Sequence, residues 1–139
     1  MNQQKTCLFV DDDPGVRELV ALNLQSEGFT VYLRDTGLGV EELVARIKPD
    51  VVMLDVMMPE RDGYDVLRSL KKSPDTRDVP VVLLTAKATD SEIWQGWQAG
   101  ADYYLTKPFN IEHLVEYLGL VLQERATVDV DVTVLENSL

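Results

Sequence analysis

The chain has 139 residues, a length that suits one domain with a buried core. Its 13 basic and 24 acidic side chains give a formal net charge of −11, and no concentrated basic stretch favours nucleic-acid binding. The single cysteine excludes an internal disulfide, and no apolar segment has the length of a membrane span. Composition therefore predicts an acidic cytoplasmic domain without direct contact to nucleic acid or membrane. Its negative charge suits a cationic partner surface or a metal ion.

Short apolar runs alternate with amphipathic segments along the chain. The runs predict strands near residues 7–10, 30–33, 51–54, 81–84 and 101–105. Apolar runs without alternation indicate strands that are buried on both faces, as in a parallel sheet. A strand followed by a helix, repeated five times, predicts an open, doubly wound α/β sheet.

Capping residues mark the ends of the predicted helices. Asp13 precedes Pro14 and predicts an N-cap with proline at the first helical position. Asp62 and Asn110 predict the N-caps of the third and fifth helices, and Gly28 predicts the end of the first. The predicted elements make up one domain, which ends with the fifth helix near residue 125.

A tail, residues 126–139, follows this domain. Between 127 and 134 valine alternates with aspartate or threonine, which is the period of a strand. Two interpretations stay open, an acidic linker and a strand. If the tail is a strand, we expect it to pair between protomers, which would make the protein a homodimer.

Polar residues follow the apolar runs where the strands should end. In an open parallel sheet, ligands bind beyond the carboxyl ends of the strands. Asp11 and Asp12 follow the first run, Asp55 the third, Thr85 the fourth and Lys107 the fifth. The adjacent like charges of the acidic pair favour a bound counterion, and oxygen ligands suit Mg²⁺. Taken singly, Thr85 is more often an ordinary strand-end residue and Lys107 a solvated lysine, whereas a solvated loop is the poorer account of the acidic pair.

Asp55 ends an apolar strand, where an unligated charge is costly. A carboxylate beside a metal ion can attack phosphorus and form an aspartyl phosphate. Thr85 and Lys107 could then contact the phosphoryl oxygens. Zinc sites and histidine-based triads are disfavoured, because His113 is the only histidine of the chain.

Four segments carry motifs that belong together. They are Leu8–Pro14 with Arg17, Met53–Pro59 with Asp62 and Gly63, Leu84–Ala86, and Gly100–Phe109. In this combination the chain resembles the receiver domain of two-component response regulators over roughly residues 5–125. The resemblance implies a flavodoxin-like parallel sheet in the order 2-1-3-4-5 with five helices. It also implies a phosphorylation-controlled signalling switch rather than a conventional enzyme.

The same resemblance implies how the site works. Asp55 would accept a phosphoryl group from a phosphohistidine of a sensor histidine kinase or phosphotransfer protein. Asp12 and Asp55 would bind Mg²⁺ directly, Asp11 would bind it through a water, and the backbone carbonyl of Met57 would be a further ligand. These assignments are expectations carried over residue by residue.

The remaining implied roles concern the phosphoryl group and the response. Lys107 and Thr85 would hold phosphoryl oxygens, and the Lys107–Pro108 peptide would be cis. Tyr104 matches the switch aromatic of the family. Its ring would turn inward when Thr85 moves toward the phosphoryl group. The change would reach a downstream partner or output domain through helix four, strand five and helix five.

Two other functions compete with this switch. An aspartate-nucleophile phosphatase would carry a second aspartate two positions after the nucleophile, where this chain has Met57. A degenerate receiver that only binds partners is disfavoured, because all five site positions are retained. On helix four we expect Trp97 to pack beneath the helix and Trp94 to lie exposed as a partner anchor. The charge pattern of dimerising DNA-binding members is mostly absent there, so the mode of dimerisation stays open.

Overall fold

The computed structural model describes residues 5–86, 89–107 and 109–126. Within them, five strands alternate with five helices, as predicted. The elements are β1 Thr6–Val10, α1 Pro14–Ser26, β2 Thr30–Arg34, α2 Val40–Ile47, β3 Val51–Asp55, α3 Gly63–Lys72, β4 Val81–Thr85, α4 Asp90–Ala99, β5 Tyr103–Thr106 and α5 Ile111–Ala126. The cis peptide expected at residue 108 and the strand expected in residues 127–134 lie outside the described residues.

The strands form one parallel sheet in the order β2-β1-β3-β4-β5, which confirms the predicted topology. Every residue of β3 and β4 is buried, as their continuous apolar runs require for central strands. β2 lies at an edge and is partly exposed, and its sequence is correspondingly less apolar. β5 begins at Tyr103, two residues later than predicted, and Asp102 just before it accepts a hydrogen bond from Val81 N–H at 2.8 Å.

Two helical layers cover the sheet. The α5 layer consists of α1 and α5, whose apolar residues pack on one face, around Phe9 and Met53. The α4 layer consists of α2, α3 and α4 on the other face, around Leu8 and Leu54. Alternate strand residues point to opposite faces, so neighbours in β1 contribute to different layers. No described helix is long and apolar enough to cross a bilayer.

The predicted N-caps are confirmed. Asp13 accepts from Gly15 N–H at 2.8 Å, Asp62 accepts from Asp65 N–H at 2.9 Å, and Asn110 Oδ1 accepts a backbone N–H at 2.7 Å. These caps satisfy N–H groups that have no partner inside the helix. They start α1, α3 and α5 at the edge of the sheet where the strands end.

The prediction for Trp97 is wrong. Its side chain is 50% exposed, and Trp94 is 64% exposed. Gly96 takes the buried position of α4, since a Cβ on it would lie 2.9 Å from Cδ2 of Tyr104. Successive residues of a helix are about 100° apart around its axis, so the residue after Gly96 turns away from the sheet.

Candidate functional site

The carboxyl ends of the strands bring the predicted polar side chains together. Asp11 follows β1 and is fully buried, Asp55 ends β3 and is 4% exposed, and Thr85 ends β4 and is fully buried. Lys107 follows β5, and its backbone N–H donates to the Thr85 carbonyl at 2.7 Å. The parallel sheet therefore collects residues that are far apart in the sequence at one edge.

Lys107 lies between two buried carboxylates. Its Nζ is 2.7 Å from Asp11 Oδ2 and 3.4 Å from Asp55 Oδ1. Burial alone would lower the pKa of Lys107, but the Asp11 hydrogen bond and the charge of Asp55 outweigh it, so the pKa is raised. The ammonium is therefore charged at neutral pH and partly neutralises the site.

Asp11 is held by contacts on both sides of its carboxylate. Oδ1 accepts the Asp13 N–H at 2.9 Å, while Oδ2 accepts from Lys107. The backbone carbonyl of Asp11 accepts Nη1 of Arg17 at 2.7 Å. The loop between β1 and α1 is thus bonded to both its own helix and the strand-end lysine, while the side chain of Asp12 is exposed.

Asp55 has a raised pKa. Burial and then the charge of Asp11 raise the pKa of Asp55 to about 6, while Lys107 and the backbone N–H of Met57 oppose that rise. Ionising this carboxyl therefore costs more in the folded chain than in water. The site therefore favours a cation that would keep Asp55 ionised.

The carboxylates fit a hard divalent cation. Asp11, Asp12 and Asp55 each offer an oxygen, and these oxygens lie within 4.8 Å of one another. Carboxylate oxygens are the ligands that Mg²⁺ prefers, and with Lys107 the three carboxylates still leave a formal charge of −2. The proposed role of the Met57 carbonyl stays a prediction; the Met57 side chain is 53% exposed.

The loop between β3 and α3 folds closely over the end of β3. A Cβ on Gly63 would lie 2.6 Å from the Asp55 carbonyl oxygen, and Gly63 N–H donates to Val56 O at 2.9 Å. Within the loop, Glu60 has a φ of 71°, a region that a residue with a side chain rarely adopts. Glycine is therefore required at position 63, because any side chain would push this loop off the strand.

Sequence reasoning missed an ion pair that holds this loop. Arg61 donates to both carboxylate oxygens of Glu41 on α2 and to Gly37 O at 3.1 Å, and Ser69 of α3 donates to Glu41 at 2.8 Å. The Arg61 hydrogen bond is the main reason that the pKa of Glu41 is lowered. No spacing signal could have paired residues from separate elements.

A second missed residue is Tyr64, the second residue of α3. Its hydroxyl donates to the Glu92 carbonyl at 2.9 Å and lies 3.2 Å from the hydroxyl of Tyr104, the predicted switch aromatic. A signal was present, because Tyr64 lies three residues before Leu67 on the buried face of α3.

The fold and the strand-end carboxylates define a doubly wound α/β domain of the flavodoxin-like type with an acidic, cation-compatible cluster. The family model described as the response regulator receiver domain matches residues 7–119, and the chain belongs to that family. Receiver domains are phosphoryl-accepting signalling domains of two-component systems and are not conventional enzymes.

Curated relatives agree with this family. The chain is 38% identical to the DNA-binding dual master transcriptional regulator RpaA of Synechocystis over 116 residues. This aligned region covers 84% of the chain and 48% of RpaA. It is 44% identical to the response regulator MprA of Mycobacterium leprae, over 84% of this chain and 50% of MprA. The chain spans about half the length of these relatives.

Solved structures agree as well. A response regulator from Chloroflexus aurantiacus is 33% identical with a TM-score of 0.82, covering 87% of this chain and 99% of the other. The receiver domain of a sensor histidine kinase from Pseudomonas aeruginosa is 29% identical with a TM-score of 0.80, over 87% and 99% of the two chains. That structure has a magnesium ion coordinated in its active site cleft.

Proposed function

We propose that the chain is a phosphorylation-controlled switch. Asp55 is its phosphoacceptor and receives the phosphoryl group from a sensor histidine kinase or a phosphotransfer protein. The observation that carries this proposal is the position of Asp55. It ends β3, is 4% exposed, lies 3.4 Å from the Lys107 ammonium and shares a cluster with Asp11 and Asp12. A nucleophile, an acidic pair and a fixed cation are the groups that phosphoryl transfer to a carboxylate needs.

In the proposed transfer, a carboxylate oxygen of Asp55 attacks the phosphorus of a phosphohistidine. An O–P bond forms as the N–P bond of the donor breaks, and the departing imidazole nitrogen keeps the electron pair. Lys107 needs little movement to reach a phosphoryl oxygen, because its Nζ already lies beside Asp55 Oδ1. Thr85, at the end of the neighbouring strand, would hold a second oxygen.

We further propose that the site takes Mg²⁺. Asp12 and Asp55 would bind it directly, Asp11 through a water, and the Met57 carbonyl would complete the protein ligands. Both Asp11 oxygens already accept hydrogen bonds, which supports the indirect role given to that residue. When bound, the ion would neutralise charge on the carboxylates and on the transferring phosphoryl group.

The downstream part of the proposal concerns the surface formed by α4, β5 and α5. Tyr104 of β5 lies against α4, and Trp94 and Trp97 on that helix are exposed. We propose that phosphorylation changes this surface and so signals to an output protein or domain in the cytoplasm. The chain's net charge of −11 argues that it does not itself contact nucleic acid.

The test is phosphorylation by acetyl phosphate with Mg²⁺, followed by intact mass. The wild type should gain one phosphoryl group, and Asp55→Asn should gain none, because the change keeps the shape and removes the nucleophilic charge. Asp13→Asn is the matched control, since its carboxylate caps α1 and should leave phosphorylation unchanged. An Asp55→Asn protein that is still phosphorylated to the same extent would refute the assignment.

Metal binding is tested separately by titrating the protein with Mg²⁺ and measuring tryptophan fluorescence or the heat of binding. Asp12→Ala should weaken binding at least tenfold, whereas Asp13→Ala should change it little. A larger effect at Asp13 would show that the ligands are wrongly assigned within the acidic run.

A further inference from the structure

The Tyr64 hydroxyl joins three separate elements. Tyr64 belongs to α3 and is 6% exposed. Its hydroxyl oxygen lies 2.9 Å from the Glu92 carbonyl in the first turn of α4 and 3.2 Å from the Tyr104 hydroxyl on β5. A buried hydroxyl that is hydrogen-bonded on two sides favours one fixed arrangement of its partners.

The direction of these hydrogen bonds follows from counting protons. A carbonyl oxygen only accepts, so the single proton of Tyr64 points to Glu92. The hydrogen bond between the two hydroxyls then runs from Tyr104 to Tyr64. Removing the Tyr64 hydroxyl therefore breaks both contacts, whereas removing the Tyr104 hydroxyl leaves the contact with α4 intact.

The ring of Tyr104 is positioned by α4 as well. A Cβ on Gly96 would lie 2.9 Å from Cδ2 and 3.1 Å from Cε2 of this ring, and 3.1 Å from Leu83. The ring thus lies against the bare backbone of α4. Any movement of the ring must change its contacts with that helix, with the Tyr64 hydroxyl, or with both.

Tyr64 is also directly connected to the site. It follows Gly63, which packs against the Asp55 carbonyl and donates to Val56. On β5, Tyr104 lies three residues before Lys107, which contacts Asp11 and Asp55. The Tyr64 hydroxyl therefore connects a segment that leads away from the site, through Gly63, with a segment that leads to it, through Lys107, and it also contacts the first turn of α4.

We propose that Tyr64 is a positioning residue that holds Tyr104 and the first turn of α4 in the arrangement of the unphosphorylated chain. The proposal rests on the proposed function of Asp55. Phosphorylation must overcome the two hydrogen bonds of Tyr64 before α4 changes, so this hydroxyl sets how readily the α4 surface responds. Burial and the Tyr104 hydrogen bond also raise the pKa of Tyr64, so the hydroxyl keeps its proton at neutral pH.

The first measurement is hydrogen exchange in the unmodified protein. Tyr64→Phe keeps the ring and should speed exchange in the segment that contains residues 90–96 by about fivefold for each hydrogen bond lost. Tyr117→Phe is the matched control, because its ring stacks on Tyr103 on the opposite face of the sheet. Equal exchange rates in wild type and Tyr64→Phe would show that the Tyr64 hydroxyl does not hold the first turn of α4.

The second measurement adds beryllofluoride, a phosphoryl mimic, with Mg²⁺ and follows tryptophan fluorescence and hydrogen exchange of α4. The half-saturating concentration should fall at least fivefold in Tyr64→Phe and less in Tyr104→Phe. In the double variant Tyr64→Phe/Tyr104→Phe this concentration should fall no further than in Tyr64→Phe, because Tyr64→Phe already removes the hydrogen bond between the two hydroxyls. A merely structural role would lower stability in urea without moving this concentration, and that result contradicts the proposal.

Asp55→Asn separates failure of the role proposed for Tyr64 from failure of the proposed function. If wild type and Asp55→Asn respond alike to beryllofluoride, the function assigned to Asp55 fails, and the coupling fails with it. If wild type responds, Asp55→Asn does not, and Tyr64→Phe has the same half-saturating concentration as wild type, then the role proposed for Tyr64 alone is wrong.

Discussion

Two neighbouring tyrosines of β5 face opposite layers and are held in different ways. Tyr103 stacks on Tyr117 of α5, with ring centroids 5.7 Å apart and planes 19° from parallel. Tyr104 lies on Gly96 of α4 and shares a hydrogen bond with Tyr64. The α5 layer thus meets β5 through stacked rings, and the α4 layer meets it through a bare backbone and hydroxyl groups. We therefore expect a charge at the site to rearrange the second contact more readily than the first.

The loops of the site divide between the same two layers. The β1–α1 loop leads into the α5 layer, where Arg17 of α1 donates to the Asp11 carbonyl. The β3–α3 loop leads into the α4 layer through Gly63 and Tyr64. Because Asp55 begins the second of these loops, we expect a change at Asp55 to reach the α4 layer first.

The largest effects should come from core truncations, and they should not distinguish the layers. Leu67 of α3 and Leu114 of α5 are both fully buried. Leu67→Ala and Leu114→Ala should each lower the free energy of unfolding by about 2–5 kcal/mol, measured by urea denaturation. A much smaller loss of unfolding free energy for Leu67→Ala than for Leu114→Ala would mean that the α4 layer is loosely packed throughout, and not only at its contact with β5.

The next effect concerns the carboxyl group of Asp55 at the end of β3. The pKa of Asp55 is raised from 3.8 to about 6, so the folded protein keeps a proton that the unfolded chain releases. In metal-free buffer the free energy of unfolding should therefore fall as the pH rises from about 4 to about 6.

The measured quantity is the difference between wild type and Asp55→Asn in urea denaturation at several pH values. That difference should change by about 2 kcal/mol across this window. Added Mg²⁺ should reduce it, since a bound cation favours the ionised carboxylate. A difference independent of pH would show that Asp55 ionises in the folded chain as easily as in water.

Two helical glycines give the sharpest contrast between the layers. A Cβ on Gly119 of α5 would meet open space, whereas a Cβ on Gly96 of α4 would overlap Tyr104. Gly119→Ala should stabilise the protein by about 0.5–1 kcal/mol through helix propensity. Gly96→Ala should destabilise it by about 1–3 kcal/mol through overpacking. The same sign at both positions, measured by urea denaturation, would remove the distinction between the two contacts.

The smallest expected effect tests how the β3–α3 loop is held to the α4 layer. Glu41→Gln should lower the free energy of unfolding by about 1 kcal/mol, because Arg61 and Ser69 lose a charged acceptor. Arg68→Gln, which removes the exposed pair with Asp65, is the control and should cost less than about 0.5 kcal/mol.

The pH dependence of the same pair has a defined sign. The pKa of Glu41 is lowered, so its contribution is complete above the ordinary glutamate pKa and is lost as the pH falls through the lowered one. Denaturation of wild type and Glu41→Gln should therefore converge at low pH. Equal costs for Glu41→Gln and Arg68→Gln at neutral pH would show that the loop is not held by this contact.

Local patterns in the sequence were sufficient for the framework. Continuous apolar runs predicted the strands, and caps such as Asp13 and Asp62 predicted where helices begin, because each signal lies within a few residues. The same runs put Asp55 and Lys107 at strand ends, and a parallel sheet then brings strand ends to one edge. The alternation of strands and helices is thus written in the sequence itself.

Only the tertiary structure decided which side chains meet across elements. The contacts of Tyr64 with Glu92 and of Arg61 with Glu41 depend on how each helix is rotated about its axis. Trp97 was expected to pack beneath α4, yet Gly96 takes the buried position, because only a residue without a side chain lets α4 approach Tyr104 so closely. Helix rotation is set by the packing of the whole layer, so no local pattern records it.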